Sequence, residues 1–403
     1  MVRISPRSRT GSGGWGPDLR RRRRIPPRTP RRAEGVRVLV VNAGSSSLKL
    51  SVREGDDEVA ATTIERWEGE GHVAPIRDFI EQTPTLDAIG HRVVHGGPRF
   101  IEPVLVDDDV LDYLDLITNL APLHNPRATA AIRETRKLLP DTPAVACFDT
   151  TFHGTFHATL PAAASTYALP RQWNERWQLR RYGFHGLSHA YAVRRAAALG
   201  GRDPAELRIV SCHLGAGASL AAVRHGRSVD TTMGFTPLAG LVMVTRSGSV
   251  DPGMVLCLLQ NGDLTPEQLR DVLEHQSGMK GLSGTSGDLR DVLAARQAGN
   301  RDAALAYDVF THHLRREIGA TSASAQGLDL LVVTGGIGEH SAEVRRDMAA
   351  GLGYLGIDID QATNDSAQGD TDLSTPTSTV LTVMVKSSEE AEIARQTARL
   401  ATS

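Results

Sequence analysis

The chain has 403 residues, a formal net charge of −2 and 23% charged residues. This length exceeds the usual size of one domain, so two domains are expected, and no run approaches the roughly 18 apolar residues of a membrane span. The cysteines Cys147, Cys212 and Cys257 are odd in number and have no paired spacing. This argues against a disulfide framework and favours a reducing, cytoplasmic location. Because no apolar run is long enough to span a membrane, no membrane partner is expected.

The first 35 residues differ in composition from the rest of the chain. They contain eleven arginines against Asp18 and Glu34, a local charge of +9 that leaves −11 for the remainder. Such a segment has too little apolar surface to form a core. We interpret it as a disordered arginine-rich extension or a translation start placed too far upstream. An arm that binds nucleic acid or anionic lipid is the alternative.

A short polar turn interrupts the first apolar run of the main part. Residues 38–41 are typical of a buried strand, and strand-like sequence resumes after the turn. The hydroxyls of Ser45 and Ser47 and the ammonium of Lys49 can face one polyanion, and Asn42 adds an oxygen able to hold a metal-bound water. The pattern is not a Walker loop, which opens a helix. An ordinary hairpin with a serine-rich tip is the alternative.

Two charged residues stand at the ends of apolar runs farther along the chain. Arg92 precedes the segment 95–97 (His-Gly-Gly), and its planar guanidinium can pair with a carboxylate through two hydrogen bonds. Asp149 follows the apolar run 144–148, where α/β folds place functional side chains. A surface ion pair and a helix cap are the respective structural alternatives.

A strand-like run followed by a glycine-rich turn occurs twice more in the sequence. Residues 207–223 repeat the pattern of strand, glycine-rich turn and strand, and residues 331–340 place a glycine-rich turn after a β-rich run. One such turn is weak evidence, but three turns after three strands favour a nucleotide site. The predicted fold class is therefore α/β, with two duplicated actin-like ATPase (ribonuclease H-like) domains and an interdomain active-site cleft.

Seven motifs resemble those of acetate kinases in sequence and order, and the resemblance runs from about residue 36 to the C terminus. Besides the three turns, the motifs are residues 91–97, 147–153, 181–189 and 233–248. The resemblance implies a phosphotransferase that converts ATP and acetate reversibly to ADP and acetyl phosphate by direct in-line transfer. It also implies Mg²⁺, with Mn²⁺ as a substitute, and a homodimer that binds no nucleic acid.

The same resemblance implies a domain organisation. Residues 1–35 precede the fold, and residues 36–150 form the N-terminal actin-like ATPase domain, to which a C-terminal helix at 388–403 returns. Residues 151–387 form the C-terminal domain, which binds the nucleotide and dimerises.

By resemblance, the catalytic residues are Asp149, His185 and Arg246. His185 and Arg246 match groups that stabilise the transition state. Asp149 is expected to orient groups or act through the metal, because acetate has no proton to lose at neutral pH. The residues that match the family's acetate site are Arg92, Val94, Leu123, Phe184 and Pro237.

The nucleotide and metal sites also follow from the resemblance. The expected ATP-binding residues are Lys49, Ser45, Ser47, His213, Leu214, Gly215, Ala216, Gly217, Asp288, Leu289, Arg290, Gly336, Ile337, Gly338, Glu339 and His340. The expected metal-binding residues are Asn42 and Glu389, with Glu390 as the less favoured choice. Both glutamates also suit the first turn of a helix, where the helix dipole favours acidic residues.

Several positions depart from the usual family pattern. Ala216 and His340 stand where asparagine is common, Ser249 replaces an aspartate and Ala239 a glutamate. These changes leave nucleotide preference, metal affinity and turnover open. Three other functions also stay open: a kinase for propionate or butyrate, an actin-like ATPase that acts as a chaperone or filament, and a nucleic-acid-binding role for the basic arm.

Overall fold

The computed structural model describes residues 35–44, 47–65, 67, 74–83, 85–122, 124–154 and 160–402. The predictions made for residues 1–34, Ser45 and Leu123 lie outside the described residues.

The described part of the chain contains two sheets of six strands each. The strands of the first sheet are β1 (Arg37–Ala43), β2 (Ser47–Glu54), β3 (Asp57–Glu65), β4 (Ala88–Val93), β5 (Val104–Leu105) and β6 (Ala144–Phe148). The strands of the second sheet are β7 (Arg208–Leu214), β8 (Ala218–Arg224), β9 (Arg227–Thr231), β10 (Leu330–Thr334), β11 (Thr371–Asp372) and β12 (Leu381–Met384).

The two sheets share one topology. Their orders are β3-β2-β1-β4-β6-β5 and β9-β8-β7-β10-β12-β11, and equivalent neighbours run in the same relative directions. Each begins with an antiparallel hairpin, and each has a register shift between its second and third strands, at Val52/Arg53 and at Ala222/Val223. The predicted duplicated α/β fold is confirmed.

Helices cover the sheets and connect the strands. In chain order they are α1 (Ala74–Glu81), α2 (Asp108–Leu116), α3 (Asn125–Leu138), α4 (Ala162–Ser165), α5 (Arg171–Trp177), α6 (Gly186–Leu199), α7 (Pro252–Asn261), α8 (Pro266–Asp271), α9 (Gly278–Ser283), α10 (Leu289–Gln297), α11 (Arg301–Ser324), α12 (Gly335–His340), α13 (Ala342–Ala350), α14 (Gln361–Ser366) and α15 (Glu389–Ala401). None of these described helices is long and apolar enough to cross a membrane.

The C-terminal helix α15 packs back onto the first sheet. It contacts strands β1, β2, β4, β5 and β6 of that sheet, and it also packs against α6. Ile393 and Ala394 are buried in the same apolar cluster as Cys147, which makes the helix part of the first lobe's core. The acidic N-terminus of α15 is thereby held at the edge of the first sheet. The domain boundaries themselves stay a prediction.

One segment differs from expectation. The polar composition of residues 364–378 predicts a surface loop, but Asn364 is buried in α14. Its side-chain oxygen and its carbonyl accept hydrogen bonds from the buried Arg345. Arg345 also donates to the carbonyl oxygens of Gly338 and Glu339, so α14 helps to hold the end of α12. Composition cannot show this because the polar partner lies elsewhere in the sequence.

Candidate active site

Three residues predicted separately form one cluster at the carboxyl edge of the first sheet. Asn42 lies near the end of β1, Arg92 lies in β4, and Asp149 follows β6. Strands β1, β4 and β6 are parallel neighbours, so their ends meet. Arg92 donates from Nε and Nη2 to Oδ1 and Oδ2 of Asp149 at 3.1 and 2.7 Å, and from Nη1 to Asn42 Oδ1 at 3.2 Å.

The Arg92–Asp149 pair is an oriented, buried ion pair. Burial by itself lowers the pKa of Arg92, but the carboxylates of Asp149 and Glu389 raise it above its ordinary range. Burial raises the pKa of Asp149, and the guanidinium opposes that shift. The described contacts use three of the five guanidinium N–H groups. Arg92 therefore keeps donors for a second carboxylate.

Helix α15 brings two glutamates to the same edge. Glu389 Oε2 lies 3.6 Å from Arg92 Nε, and Asn42 Nδ2 donates to Glu390 Oε1 at 3.1 Å. Together they line a cleft of about 470 Å³. The cleft is lined by Asn42, Gly44, Ser47, Lys49, Arg92, His124, Ser387, Glu389 and Glu390.

The donor set of this cleft fits a small, hard cation only in part. Mg²⁺ prefers oxygen ligands, keeps several waters and is often held by one or two carboxylates together with substrate phosphates. Glu389, Glu390 and the amide oxygen of Asn42 are ligands of that type. Among the described residues no group of three or more His, Cys, Asp or Glu side chains could hold a metal alone. The residues therefore fit a cation that arrives with phosphate oxygens.

On the second lobe, His185 stands at the beginning of α6 in a left-handed conformation, with φ of 55°. The N–H of Gly186 donates to the carbonyl oxygen of Asp149 at 2.8 Å, which ties this helix to the first sheet. The His185 ring stacks on His213 with centroids 4.3 Å apart. The imidazole is thus placed beside the Arg92–Asp149 pair by backbone contacts.

Arg246 and His185 face the same glycine turn. A Cβ atom on Gly217 would lie 3.3 Å from His185 Nε2 and 3.4 Å from Arg246 Nη1. Arg246 Nη1 donates to Pro237 O at 3.4 Å, and no described carboxylate lies within ion-pair distance of it. Burial lowers the pKa of Arg246, with Glu274 acting in the opposite direction. This buried cation is therefore left with donors for an anionic ligand.

The glycine turns of the second lobe pack against each other. Gly335 has φ of +82°, and a Cβ there would clash with the backbone of Leu214, so only glycine allows this approach. Helix α12 begins directly after β10. Oε1 of Glu339 accepts from the N–H groups of Gly335 and Ser387 at 3.1 and 2.9 Å. Glu339 thus connects α12 to the segment that leads into Glu389.

Comparison with known proteins agrees with the motifs. The sequence profile described as the Acetokinase family matches residues 74–395. The chain belongs to the acetokinase family. An acetate kinase from Nostoc punctiforme is 40% identical over 402 residues, covering 89% of this chain and 98% of that protein. The resemblance inferred from the seven motifs is confirmed.

Solved structures of the acetokinase family share this fold. The Porphyromonas gingivalis acetate kinase superposes with a TM-score of 0.85 at 33% identity, covering 91% of this chain and 99% of that one. A propionate kinase from Francisella tularensis gives a TM-score of 0.81 at 32% identity, covering 90% and 99%. Both neighbours span nearly the whole described fold.

The apolar residues assigned to the acyl pocket lie near these charges. Val94 and Phe184 are buried in one apolar cluster with Leu241 and Met243, and the half-buried Pro237 contacts Arg246 through its carbonyl. An apolar wall therefore stands beside the two arginines. The assignment of these residues to a methyl group stays a prediction.

The remaining residues assigned to the nucleotide site include Asp288 and Arg290 at the surface. Asp288 caps α10, and both of its oxygens accept from Arg290. The guanidinium of Arg290 is exposed at the surface of the second lobe. This arrangement leaves the pair accessible to a ligand, and its role as a nucleotide contact stays a prediction.

Sequence reasoning missed His124. This residue lines the cleft with Arg92, and burial together with the charges of Arg92, Arg246 and Arg127 lowers its pKa to about 4. Its position beside Leu123, already assigned to the acyl pocket, was the available signal. His124 is therefore a neutral polar group at neutral pH, close enough to Arg92 and Arg246 to feel the charge of both.

The pKa values of three other buried histidines predict how the free energy of unfolding depends on pH. Burial lowers the pKa of His91 to about 3 and those of His95 and His153 to about 4. The unfolded chain therefore binds more protons than the folded chain below pH 6.5. The stability that these neutral histidines contribute is fully present above that pH and is lost as the pH falls toward 4. The expected slope is about 1.4 kcal/mol per pH unit for each histidine.

Urea unfolding between about pH 6 and pH 5 measures this slope. The variant His91→Gln is expected to be less stable overall but to show a slope smaller by about one proton. His312→Gln is the control because His312 is exposed. Equal slopes for wild type and His91→Gln would contradict the assignment.

Proposed function

We propose that the protein is an acetate kinase that transfers the terminal phosphoryl group of ATP directly to acetate. The observation that supports this proposal most is that the site contains two arginines with different surroundings. Arg92 is oriented by Asp149 and keeps free N–H groups for a carboxylate, whereas Arg246 lacks a described carboxylate partner and faces the Gly217 turn with His185. Such a site suits one carboxylate and one transferring phosphoryl group.

In this proposal the acetate carboxylate is itself the nucleophile, so no general base is required. Arg92 binds and orients acetate, and the methyl group of acetate lies against Val94, Phe184 and Pro237. Arg246 and His185 donate to the oxygens of the transferred phosphoryl group, where negative charge must be stabilised. Asp149 holds the guanidinium of Arg92 in position. The transfer is in line, without a phosphorylated enzyme, and is reversible.

ATP occupies the glycine turns in this proposal, with Lys49 and Ser47 near its phosphates. The described residues that contact it are Lys49, Ser47, His213, Leu214, Gly215, Ala216, Gly217, Asp288, Leu289, Arg290, Gly336, Ile337, Gly338, Glu339 and His340. Mg²⁺, or Mn²⁺ in its place, is held by Glu389 and Asn42 and supplies charge neutralisation at the phosphates. The oxygen donors at the N-terminus of α15 support this choice.

Acid-dependent turnover tests the function. Purified protein with Mg-ATP is given acetate, propionate or butyrate, ADP formation is measured, and hydroxylamine captures the acyl phosphate as a hydroxamate. Hydroxamate forms with the highest kcat/KM from acetate if the proposal is right. ATP hydrolysis that is indifferent to any acid would contradict it and favour an actin-like ATPase.

A propionate kinase is the second candidate, because one of the structural neighbours is named as such. Acetate and propionate differ by one methylene, which is worth about 1–3 kcal/mol of discrimination in an apolar pocket. Propionate is therefore expected to be a slower substrate rather than an excluded one. A higher kcat/KM for propionate than for acetate would reassign the substrate.

The metal assignment predicts different effects for two neighbouring glutamates. Glu389→Gln is expected to raise the Mg²⁺ concentration needed for half-maximal activity about 10-fold or more, because a ligand carboxylate is lost. Glu390→Gln is the matched control, since it lies in the same turn and bonds Asn42 rather than Arg92. Titrating Mg²⁺ in the hydroxamate assay measures both. A larger effect for Glu390→Gln would move the metal site to that residue.

The proposed homodimer forms through the second lobe. Helix α7 carries the sequence PGMVLCLLQN, yet none of its residues is buried within the chain. Leu256 is 58% exposed, and Met254 and Val250 are also exposed large apolar residues. An apolar helix without a fully buried residue favours a protein partner, and a second copy of this chain is the partner that the family implies.

The double substitution Met254→Glu and Leu256→Glu is expected to convert the dimer to a monomer, because two charges would be buried at the interface. Light scattering after size exclusion measures the mass. Leu116→Glu is the control, since Leu116 is 77% exposed on the first lobe. A wild type that is monomeric, or a dimer unaffected by the double substitution, would reject this interface.

The proposal also includes a cytoplasmic location. The three cysteines are free, and Cys147 and Cys212 are buried. Burial raises the pKa of Cys147 to about 12, so it is unreactive as a thiolate. Free, buried thiols support a reducing compartment.

A further inference from the structure

Behind His185, two serines and a second histidine form a continuous chain of short polar contacts. Ser219 Oγ lies 2.9 Å from His185 Nδ1 and 2.9 Å from His189 Nε2. The other nitrogen of His189, Nδ1, lies 2.9 Å from Ser211 Oγ. His189 is one turn farther along α6 than His185, and Ser211 and Ser219 lie on the antiparallel strands β7 and β8. The chain therefore runs from inside the second lobe to the candidate active site.

These groups are shielded from water. Ser211, His189 and Ser219 are 0% exposed. Burial, and then the charges of neighbouring histidines, lower the pKa of both His185 and His189 well below the ordinary value. Both rings are therefore neutral at neutral pH, so each carries one N–H group and one lone pair. The position of that single proton decides what His185 offers to a ligand.

The contacts allow two consistent directions for the chain. A serine hydroxyl has one hydrogen, so Ser219 can donate to only one of its two histidines and must accept from the other. In the first direction Ser219 donates to His185 Nδ1, and His185 then carries its proton on Nε2. In the second direction Ser219 donates to His189, and His185 carries its proton on Nδ1.

Ser211 decides between these directions. In the first direction its hydroxyl donates to His189 Nδ1, and all three hydrogens on the fully buried groups have an acceptor. The remaining hydrogen, on Nε2 of the half-buried His185, faces the candidate site. In the second direction Ser211 accepts from His189 Nδ1, and its own buried hydrogen has no acceptor among the described residues. An unsatisfied buried donor costs about 1–3 kcal/mol. The first direction is therefore the stable one.

The first direction aims a donor at the site. His185 Nε2 and Arg246 Nη1 both lie beside the position that a Cβ of Gly217 would occupy. We propose that Ser219, His189 and Ser211 are positioning residues that hold His185 in its Nε2–H tautomer, so that it presents a neutral donor to the transferred phosphoryl group. The opposite tautomer would present a lone pair to anionic oxygens. This inference rests on the proposed role of His185.

Serine variants test the chain through kcat and KM. Ser219→Ala is expected to lower kcat about 10- to 100-fold, the range for removing a buried group that orients a histidine, with the KM values for acetate and ATP changed by less than about threefold. Ser211 does not contact His185, so Ser211→Ala is also expected to lower kcat, but by a smaller factor. Ser219→Thr keeps the hydroxyl and is expected to restore most of the activity.

The tautomer is measured directly by NMR. Protein labelled with ¹⁵N in histidine gives ring nitrogen signals that distinguish Nε2–H from Nδ1–H, and the His185 signals are those missing from His185→Gln. Wild type is expected to show Nε2–H at this residue, and Ser219→Ala a mixture of both forms. Ser228→Ala is the matched control, because it removes a 2.8 Å buried contact to a different histidine, His153.

The outcomes separate this inference from the role of His185. If His185→Gln leaves kcat unchanged, His185 is not at the transfer site, and the positioning role fails with it. If His185→Gln lowers kcat but Ser219→Ala keeps both the wild-type kcat and the Nε2–H tautomer, the role of His185 stands and the chain is rejected. An Nδ1–H tautomer in wild type would also reject the chain.

Discussion

Replacing Arg246 with glutamine is expected to lower kcat for hydroxamate formation about 10³-fold or more, while the KM values for ATP and acetate change by less than about 10-fold. An arginine that stabilises a transferring phosphoryl group is worth about 10³–10⁵ in kcat. Arg246 has the features of such a group: it is partly buried, the only described hydrogen-bond partners of its side chain are Pro237 O and Met243 Sδ, and it lies beside His185 at Gly217. Its effect appears in kcat because its donors are engaged most strongly in the transition state.

Two further variants test whether the loss of activity comes from the position and planar shape of Arg246. Arg246→Lys keeps the charge but loses the planar arrangement of donors, and it is expected to fall between wild type and Arg246→Gln. Arg346→Gln is the control, because Arg346 is a surface arginine on α13 that pairs with Asp347. A kcat for Arg246→Gln within 10-fold of wild type would remove Arg246 from the phosphoryl site.

Asp149→Asn is expected to lower kcat/KM for acetate about 10²- to 10³-fold, the range for losing one preorganised group in an active site. Asparagine has nearly the same shape, but its amide group offers N–H to the Nε and Nη2 donors that Asp149 now accepts from. Arg92 is then no longer held in its present orientation. The KM for acetate should therefore rise more than the KM for ATP, and steady-state rates measure both.

A double-mutant cycle shows whether Asp149 acts through Arg92. If it does, adding Asp149→Asn to an Arg92→Gln protein is expected to cost little more, because the interaction is already lost. Asp329→Asn is the matched control: Asp329 also accepts two hydrogen bonds from one arginine, Arg208, at the surface. Fully additive losses for Asp149→Asn and Arg92→Gln would show that Asp149 has a separate function.

Much of the site could be predicted because its residues stand next to recognisable turns and strand ends. Arg92 and Asp149 end apolar runs, and parallel strands bring such ends together at one edge of a sheet. The glycines at 217 and 335 stand out in the sequence because each follows a strand-like run, and the positive φ of Gly335 is a conformation that favours glycine. The family motifs then assigned roles that residue types alone left open.

Other features had little or no local signal. For His124 the signal was its position beside Leu123, but a single histidine is usually structural. The engagement of Glu339 with the N–H groups of Gly335 and Ser387 depends on two segments about 50 residues apart in sequence. The burial of Asn364 depends on Arg345 from the preceding helix. In each case the partner is determined by packing rather than by neighbouring residues.

The sequence by itself determined the duplicated strand pattern, the glycine turns and the order of the motifs, because strand periodicity and positive φ values are local properties of the chain. Only the tertiary structure decided that α15 places Glu389 within 3.6 Å of Arg92 and Glu390 within hydrogen-bond distance of Asn42. It also decided that Ser211, His189 and Ser219 line up behind His185. Contacts between distant segments depend on which surfaces pack together, and hydrogen-bond direction depends on every buried donor finding an acceptor.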